Sequence, residues 1–236
     1  MRIWKLWIMA AMIGCMAVAA GCGSEAKGAG QAAKPAAKAQ QQAAPVMPGT
    51  KLTGKSKTLV VYYSLADNME LPKKVEAVTS ASLLVNDGKF IGNSGLLAQW
   101  IAEAAKADIY AVKNMEKYPS DYNKVVDMGQ KELKDNVRPK ITGEKLDVSK
   151  YDKVYVVYPS WWGDMPMGMF TFFDAYDFSG KTLIPVVTHG GYGPGDSLNS
   201  LKKLEPKATI KEYLDVPAEG LAGAKAKVQG RVKSEQ

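Results

Sequence analysis

The sequence predicts an α/β protein built on a doubly wound, five-stranded parallel sheet with helices on both faces. From Lys57 onward, short β-branched and aromatic runs alternate with longer stretches of helical period, the pattern of strands joined by crossover helices. A second observation concerns the run Lys153-Val154-Tyr155-Val156-Val157, which reads as a buried strand. It ends in Tyr158-Pro159-Ser160-Trp161-Trp162-Gly163-Asp164-Met165-Pro166. In open α/β sheets, ligands bind outside the carboxyl ends of the strands. Two adjacent indoles there suit a flat aromatic ligand, although tryptophan is well buried whatever its role, so packing into a core explains the pair as well.

The elements follow in order. Thr58–Tyr63 is β-branched and aromatic without charge, a strand. Residues 96–105 place Leu97, Ile101 and Ala104 or Ala105 at helical spacing. Residues 109–112 form a second strand. Residues 122–136 carry Val125, Val126, Met128, Gly129 and Leu133 among charges, an amphipathic helix that ends before Pro139. Residues 154–158 are the third strand. Pro166 suits the first turn of a helix, which Met169, Phe170, Phe172 and Phe173 continue. Residues 182–187 are the fourth strand, 198–204 a short helix stopping before Pro206, 209–214 the fifth strand, and 221–232 a last helix.

One connection breaks this rhythm. Residues 65–92 separate the first strand from the first helix, where a βα connection normally runs a few residues. Within it, 75–85 has some strand character and Asn86-Asp87-Gly88 is a turn signal. Gly92-Asn93-Ser94-Gly95 then stands just before the first helix. Backbone N–H groups there, with the Asn and Ser side chains, suit an anion; ordinary N-capping explains them about as well.

The N-terminus lies outside the fold. Arg2 and Lys5 precede an apolar run from 8 to 20, and Ala19-Ala20-Gly21-Cys22 follows. This is the layout of a secretory signal. Small residues before Cys22 resemble the bacterial lipobox, with Ala19 where leucine is usual; Cys15 is a weaker candidate. The expectation is a signal peptide over 1–22, lipidation at Cys22 and an exported, membrane-anchored protein of the cell envelope, with an uncleaved anchor or a plain signal peptide as the alternatives. Residues 23–56, rich in Ala, Gln, Lys and Pro, read as a flexible tether, and 57–236 as the domain. The two cysteines are Cys15 and Cys22, so the exported part has no disulfide framework. The net charge of +7 lies largely in leader, tether and C-terminal tail. It suits an anionic membrane surface or an anionic redox partner, or simply solvent; the export signal argues against nucleic acid.

Val60-Val61-Tyr62-Tyr63-Ser64, Gly92-Asn93-Ser94, Tyr118-Pro119-Ser120-Asp121-Tyr122, Tyr151-Asp152, the Trp-Trp loop, Ser179-Gly180-Lys181 and Thr188-His189-Gly190-Gly191 occur in that order. Together they resemble the flavodoxin-like family, more narrowly a bacterial lipoprotein form with an insertion (65–92) in its first loop. The resemblance covers roughly 58–214. It implies strand order 2-1-3-4-5 and non-covalent FMN at the switch point. Carried over by position, Ser64, Asn93 and Ser94 would cradle the phosphate. Pro159, Ser160, Trp161, Trp162 and Gly163 would pack against the isoalloxazine, and Thr188, His189, Gly190, Gly191 and Tyr192 would form the second flavin loop. The family usually has Thr at Ser94, and the insertion interrupts the usual short phosphate loop.

His189, the single histidine, is expected to hydrogen-bond or pack beside the flavin rather than act as a base, because the cofactor carries the chemistry. Asp164, Asp174 and Asp177 form no credible metal set, and Met165, Met167 and Met169 read as packing. The resulting function is a redox protein that either carries electrons or reduces a small acceptor such as a quinone, its donor and acceptor open. A non-redox binding protein with a degenerate pocket is the alternative.

Overall fold

The computed structural model describes residues 48–71, 82–86 and 89–236. The leader with Cys22, the tether up to 47, residues 72–81 and Asp87-Gly88 of the expected turn lie outside the described residues. In chain order the first half contains β1 (Thr58–Tyr63), α1 (Leu65–Asn68), β2 (Leu83–Asn86), β3 (Lys89–Gly92), α2 (Asn93–Ala105), β4 (Asp108–Asn114), α3 (Tyr122–Lys134) and β5 (Ile141–Thr142). The second half adds β6 (Lys153–Pro159), α4 (Met167–Ala175), β7 (Thr182–His189), α5 (Ser197–Leu204), β8 (Thr209–Ile210), β9 (Leu214–Pro217) and α6 (Lys225–Ser234).

β1 is central because both its faces are apolar. Leu59, Val61 and Tyr63 join one core layer, Val60 and Tyr62 the other, the period-two alternation of a strand. β6 repeats it, with Val154, Val156 and Tyr158 against Tyr155 and Val157. Buried on both sides, such strands read as continuous hydrophobic runs. β1 pairs in parallel with β4 and β6, β6 with β7, and β7 with both β8 and β9. The parallel positions therefore run 2-1-3-4-5, as expected, with β8 and β9 sharing the fifth. β5 adds an antiparallel edge to β4. α2 and α6 cover one face; α3, α4 and α5 cover the other. α4 is apolar nearly all round, hence buried, and its Gly168 lets the helix approach closely. A Cβ there would lie 2.6 Å from Asn114 Oδ1 and 2.7 Å from the Tyr63 ring.

The structure departs from the sequence reading in several places. Part of the expected tether is seated on the sheet. Lys51 and Ile109 exchange backbone hydrogen bonds, and Thr53 Oγ1 and Gly54 N donate to the buried Asp108 carboxylate. α2 starts at Asn93, so Gly92 is its N-cap and neither Asn93 nor Ser94 caps the helix through its side chain. The fifth strand is split at Lys211 and Glu212, two consecutive exposed charges. The last helix is a 3-10 turn, Ala218–Gly223, followed by α6.

The described parts of the long first connection are anchored at both ends. Asn68 is fully buried at the ends of β1 and β4. Its Nδ2 donates to Ser64 O at 2.8 Å and Val112 O at 3.2 Å, and its Oδ1 accepts Asn114 N at 2.6 Å. Met69 then bridges to Tyr118. β2 and β3 form an antiparallel hairpin, Asn86 opposite Lys89, that runs straight into α2. Among the described residues no helix is long and apolar enough to cross a membrane.

Asn68→Ala removes three hydrogen bonds to buried backbone groups at once. It is expected to cost about 2 kcal/mol or more, since one buried unsatisfied group already costs roughly 1–3 kcal/mol; urea denaturation reads this directly. Glu205 supplies a pH test. Its carboxylate is buried and accepts Phe178 N at 3.2 Å, and burial pushes its pKa from 4.5 up to about 7. The folded state then holds this proton more tightly than the unfolded chain. Its contribution is present below pH 4.5 and lost as pH rises through about 7. Glu205→Gln is expected to flatten the fall in stability across that window and to raise the melting temperature at pH 8.

Candidate functional site

Between β1 and β6 the chain changes its direction of travel across the sheet, and the carboxyl ends of β1, β6 and β7 border a cavity of about 480 Å³. That volume is typical of a cofactor site. Its wall contains Ser160, Trp161, Trp162, Gly163, His189, Gly190 and Tyr192. Ser64, Asn93, Ser94, Pro159, Thr188 and Gly191, also expected at the site, do not line it. Pro159 and Thr188 are paired at the last register position of β6 and β7, with Ser160 N bonded to Thr188 O at 2.8 Å. They set where the two loops leave the sheet.

The two tryptophans have different jobs. Trp161 and Asp164 exchange both backbone hydrogen bonds, at 2.8 and 2.9 Å. Between them Trp162 and Gly163 have φ of 53° and 77°, both left-handed, as a two-residue hairpin turn of the primed type requires. Glycine takes this conformation freely; tryptophan pays about 1 kcal/mol or more for it. Trp161 points inward, edge-on to Tyr63 (5.8 Å) and Tyr118 (5.5 Å), with Nε1 donating to Ser82 Oγ at 3.2 Å. Tyr118 in turn donates to Glu132 at 2.6 Å, and burial raises the pKa of both groups. Gly129 of α3 faces the Trp161 ring, where a Cβ would already touch at 3.4 Å. Trp162 is 51% exposed and donates from Nε1 to Val126 O on α3 at 3.0 Å. Trp161 is thus a half-buried floor and Trp162 a presented ring.

His189 is buried with both nitrogens engaged. Nδ1 accepts Gly191 N at 3.0 Å, so the proton sits on Nε2, 2.5 Å from Asp215 Oδ1. The imidazole braces the loop after β7 and is not set up as a base. Past it, Tyr192 is 91% exposed.

Ser64, Asn93 and Ser94 are all buried, at 1–2% exposure, after β1 and in the first turn of α2. Asn93 N donates to Ser82 O at 3.0 Å. Ser94 Oγ meets no hydrogen-bond partner among the described residues. A buried hydroxyl left in this way at a helix N-terminus is a fit for a phosphate.

Leu65, Ser82, Tyr122, Val125 and Val126 also line the cavity, and sequence reasoning did not place them there. Val125 and Val126 read as the apolar face of α3, which they are; the same face supplies the cavity wall. Tyr122 belongs to the Tyr118–Tyr122 motif and was the available signal. Ser82 carried none. Among the described residues no group of acidic, His or Cys side chains could hold a metal.

The chain belongs to the flavodoxin family, whose model matches residues 83–217, more than half of it. No curated protein matches it. Among solved structures it is similar to a candidate flavoprotein from Bacteroides uniformis, with 22% identity and TM-score 0.56 over 75% of this chain and 97% of that one. It is also similar to a candidate flavoprotein from Bacteroides eggerthii, with 25% identity and TM-score 0.51 over 74% and 98%. The cofactor of the flavodoxin family is FMN. A cavity with two indoles at the switch point and a buried Ser94 hydroxyl at a helix N-terminus fit its ring and its phosphate.

The unequal burial of the two indoles gives a direct test. Trp161→Ala is expected to cost about 3 kcal/mol or more of stability, as removal of a packed aromatic does. Trp162→Ala, which relieves a left-handed residue of its ring and little packing, should change stability by less than about 1 kcal/mol. Denaturant titrations of the two variants check the split.

Proposed function

We propose that this chain is an exported, lipid-anchored flavodoxin in which FMN serves the reduction of a small planar acceptor such as a quinone. The observation that carries the reading is the composition of the cavity wall. It is aromatic, aliphatic and hydroxyl-bearing, and its single titratable nitrogen heterocycle, His189, is tied to Asp215. Among the described residues no Lys, Arg, Asp or Glu lines it, which suits an uncharged planar acceptor beside the flavin better than a charged protein partner. Bound FMN supplies one- and two-electron redox chemistry.

The residues of this chain would hold and shield it. Ser64, Asn93 and Ser94, with the first turn of α2, would take the phosphate. Trp162 would present its face to the flavin ring and Tyr192 would cover the ring from the loop after β7. Trp161 would form the floor beneath. Ser160 and the backbone of Gly163, Gly190 and Gly191 would approach the ring edge, where glycine leaves room. The hairpin formed by β2 and β3 enters the first loop as the inserted segment, and its neighbour Ser82 would close the cavity on that side. Lipidation of Cys22 would keep the domain at the membrane, where apolar acceptors concentrate.

Purified protein is expected to be yellow and to release FMN on denaturation. Trp162→Ala should weaken FMN by at least about tenfold, since one decade is about 1.4 kcal/mol and loss of a buried aromatic contact reaches that size. A fluorescence titration measures it. Colourless protein that takes up no added FMN would favour the non-redox binding reading instead. Cys22→Ser should shift the protein out of the membrane fraction; mature protein without acyl mass would rule out the anchor.

A further inference from the structure

The turn that presents Trp162 rests on a buried acid. Asp164 is 7% exposed. Its Oδ1 accepts Met165 N at 2.7 Å, and its Oδ2 accepts the hydroxyl of Ser200, on α5, at 2.7 Å. A buried carboxylate is a costly way to fill space, and an apolar side chain there would commonly be no less stable. The same helix reaches the neighbouring strand end. Ser197 Oγ lies 3.1 Å from the hydroxyl of Tyr158, on β6, and 2.6 Å from Pro194 O, to which it donates. The two loops also touch directly. Asp196 N donates to Gly163 O at 2.6 Å, and a Cβ on Gly195 would fall 2.1 Å from that same oxygen.

We infer that Asp164 is a positioning residue: its carboxylate, held by Ser200, locks the Trp162–Gly163 turn and the 190–196 loop into one unit and fixes the direction of the Trp162 indole. The backbone bonds between Trp161 and Asp164 close the turn and Val126 O holds the indole N–H; the Asp164 carboxylate adds a side-chain tie from the turn to α5, and a tryptophan occupies the left-handed region only when its surroundings over-determine it. Met165 N and Ser200 draw on different oxygens of one planar group, so the turn and α5 cannot shift independently. The consequence for cofactor affinity rests on the FMN reading; the geometry of the indole does not.

The test uses the full chain labelled with 5-fluorotryptophan, its Trp162 resonance identified by loss in Trp162→Phe. In Asp164→Ala the Trp162 signal should move and broaden while that of Trp100, on α2, stays in place. FMN should bind about tenfold more weakly. In Asp164→Asn the amide oxygen can still accept Met165 N and the amide nitrogen can donate to Ser200 Oγ, so both readouts should return near wild type. A Trp162 resonance that Asp164→Ala leaves where it was overturns the inference. So does an Asn variant as disturbed as the Ala variant, which would make the charge rather than the bonding geometry the cause. Should Asp164→Ala not fold, Ser200→Ala removes the outer partner alone; a displaced Trp162 signal there supports the latch and an unchanged one defeats it. If the wild-type protein binds no FMN, the proposed function fails, and the fluorine spectra still decide the role of Asp164.

Discussion

The chain leaves β1 toward β4 on one side of the sheet and returns to β6 on the other. Parallel crossovers usually run through a helix and are right-handed, so the helices after β1 and β6 end up on opposite faces and cannot close over the gap between the two strands. That gap is the crevice. Its position follows from strand order alone. What it can bind follows from the residues placed at its rim, and here the rim is a turn with two indoles, a glycine-rich loop braced by His189, and the first turn of α2.

Those three parts are also tied to one another. Ser82 accepts the Trp161 indole N–H through its side chain and the Asn93 amide through its carbonyl. It therefore joins the aromatic turn to the helix terminus. α3 meets both indoles, through Gly129 under Trp161 and the Val126 carbonyl at Trp162. Asn68 pins the start of the first connection with three buried hydrogen bonds. A change at any of these points would be felt at the rim.

The parallel sheet was legible because its strands are buried on both faces and its helices are amphipathic. 58–63 and 122–134 can be read almost residue by residue from periodicity alone. What was not legible has physical causes. Residues 49–54 are short, polar and glycine-bearing, like a linker, yet they bond to a buried carboxylate, Asp108, that lies far away in sequence. The break between β8 and β9 begins at Lys211 and Glu212, both exposed, and burial is not displayed in sequence. Of the site, the two aromatic and glycine loops were readable because unusual residues sit together after a strand. The separate roles of Trp161 and Trp162 were not, because the left-handed turn that points them apart is a property of φ at two residues. Ser82 and Asn68 carry no sequence signal at all; their partners are backbone groups and an indole brought near only by folding.

The central claim is that one site takes both ends of FMN: a ring at the aromatic turn and a phosphate at the start of α2. The most direct measurement compares FMN with riboflavin, which keeps the ring and lacks the phosphate, by fluorescence titration of the wild-type protein. Hydrogen bonds to a charged group contribute roughly 1.5–3 kcal/mol, so FMN is expected to bind at least about tenfold more tightly than riboflavin. Ser94→Ala should narrow the difference. Equal affinity for the two flavins, or a preference untouched by Ser94→Ala, would contradict the account.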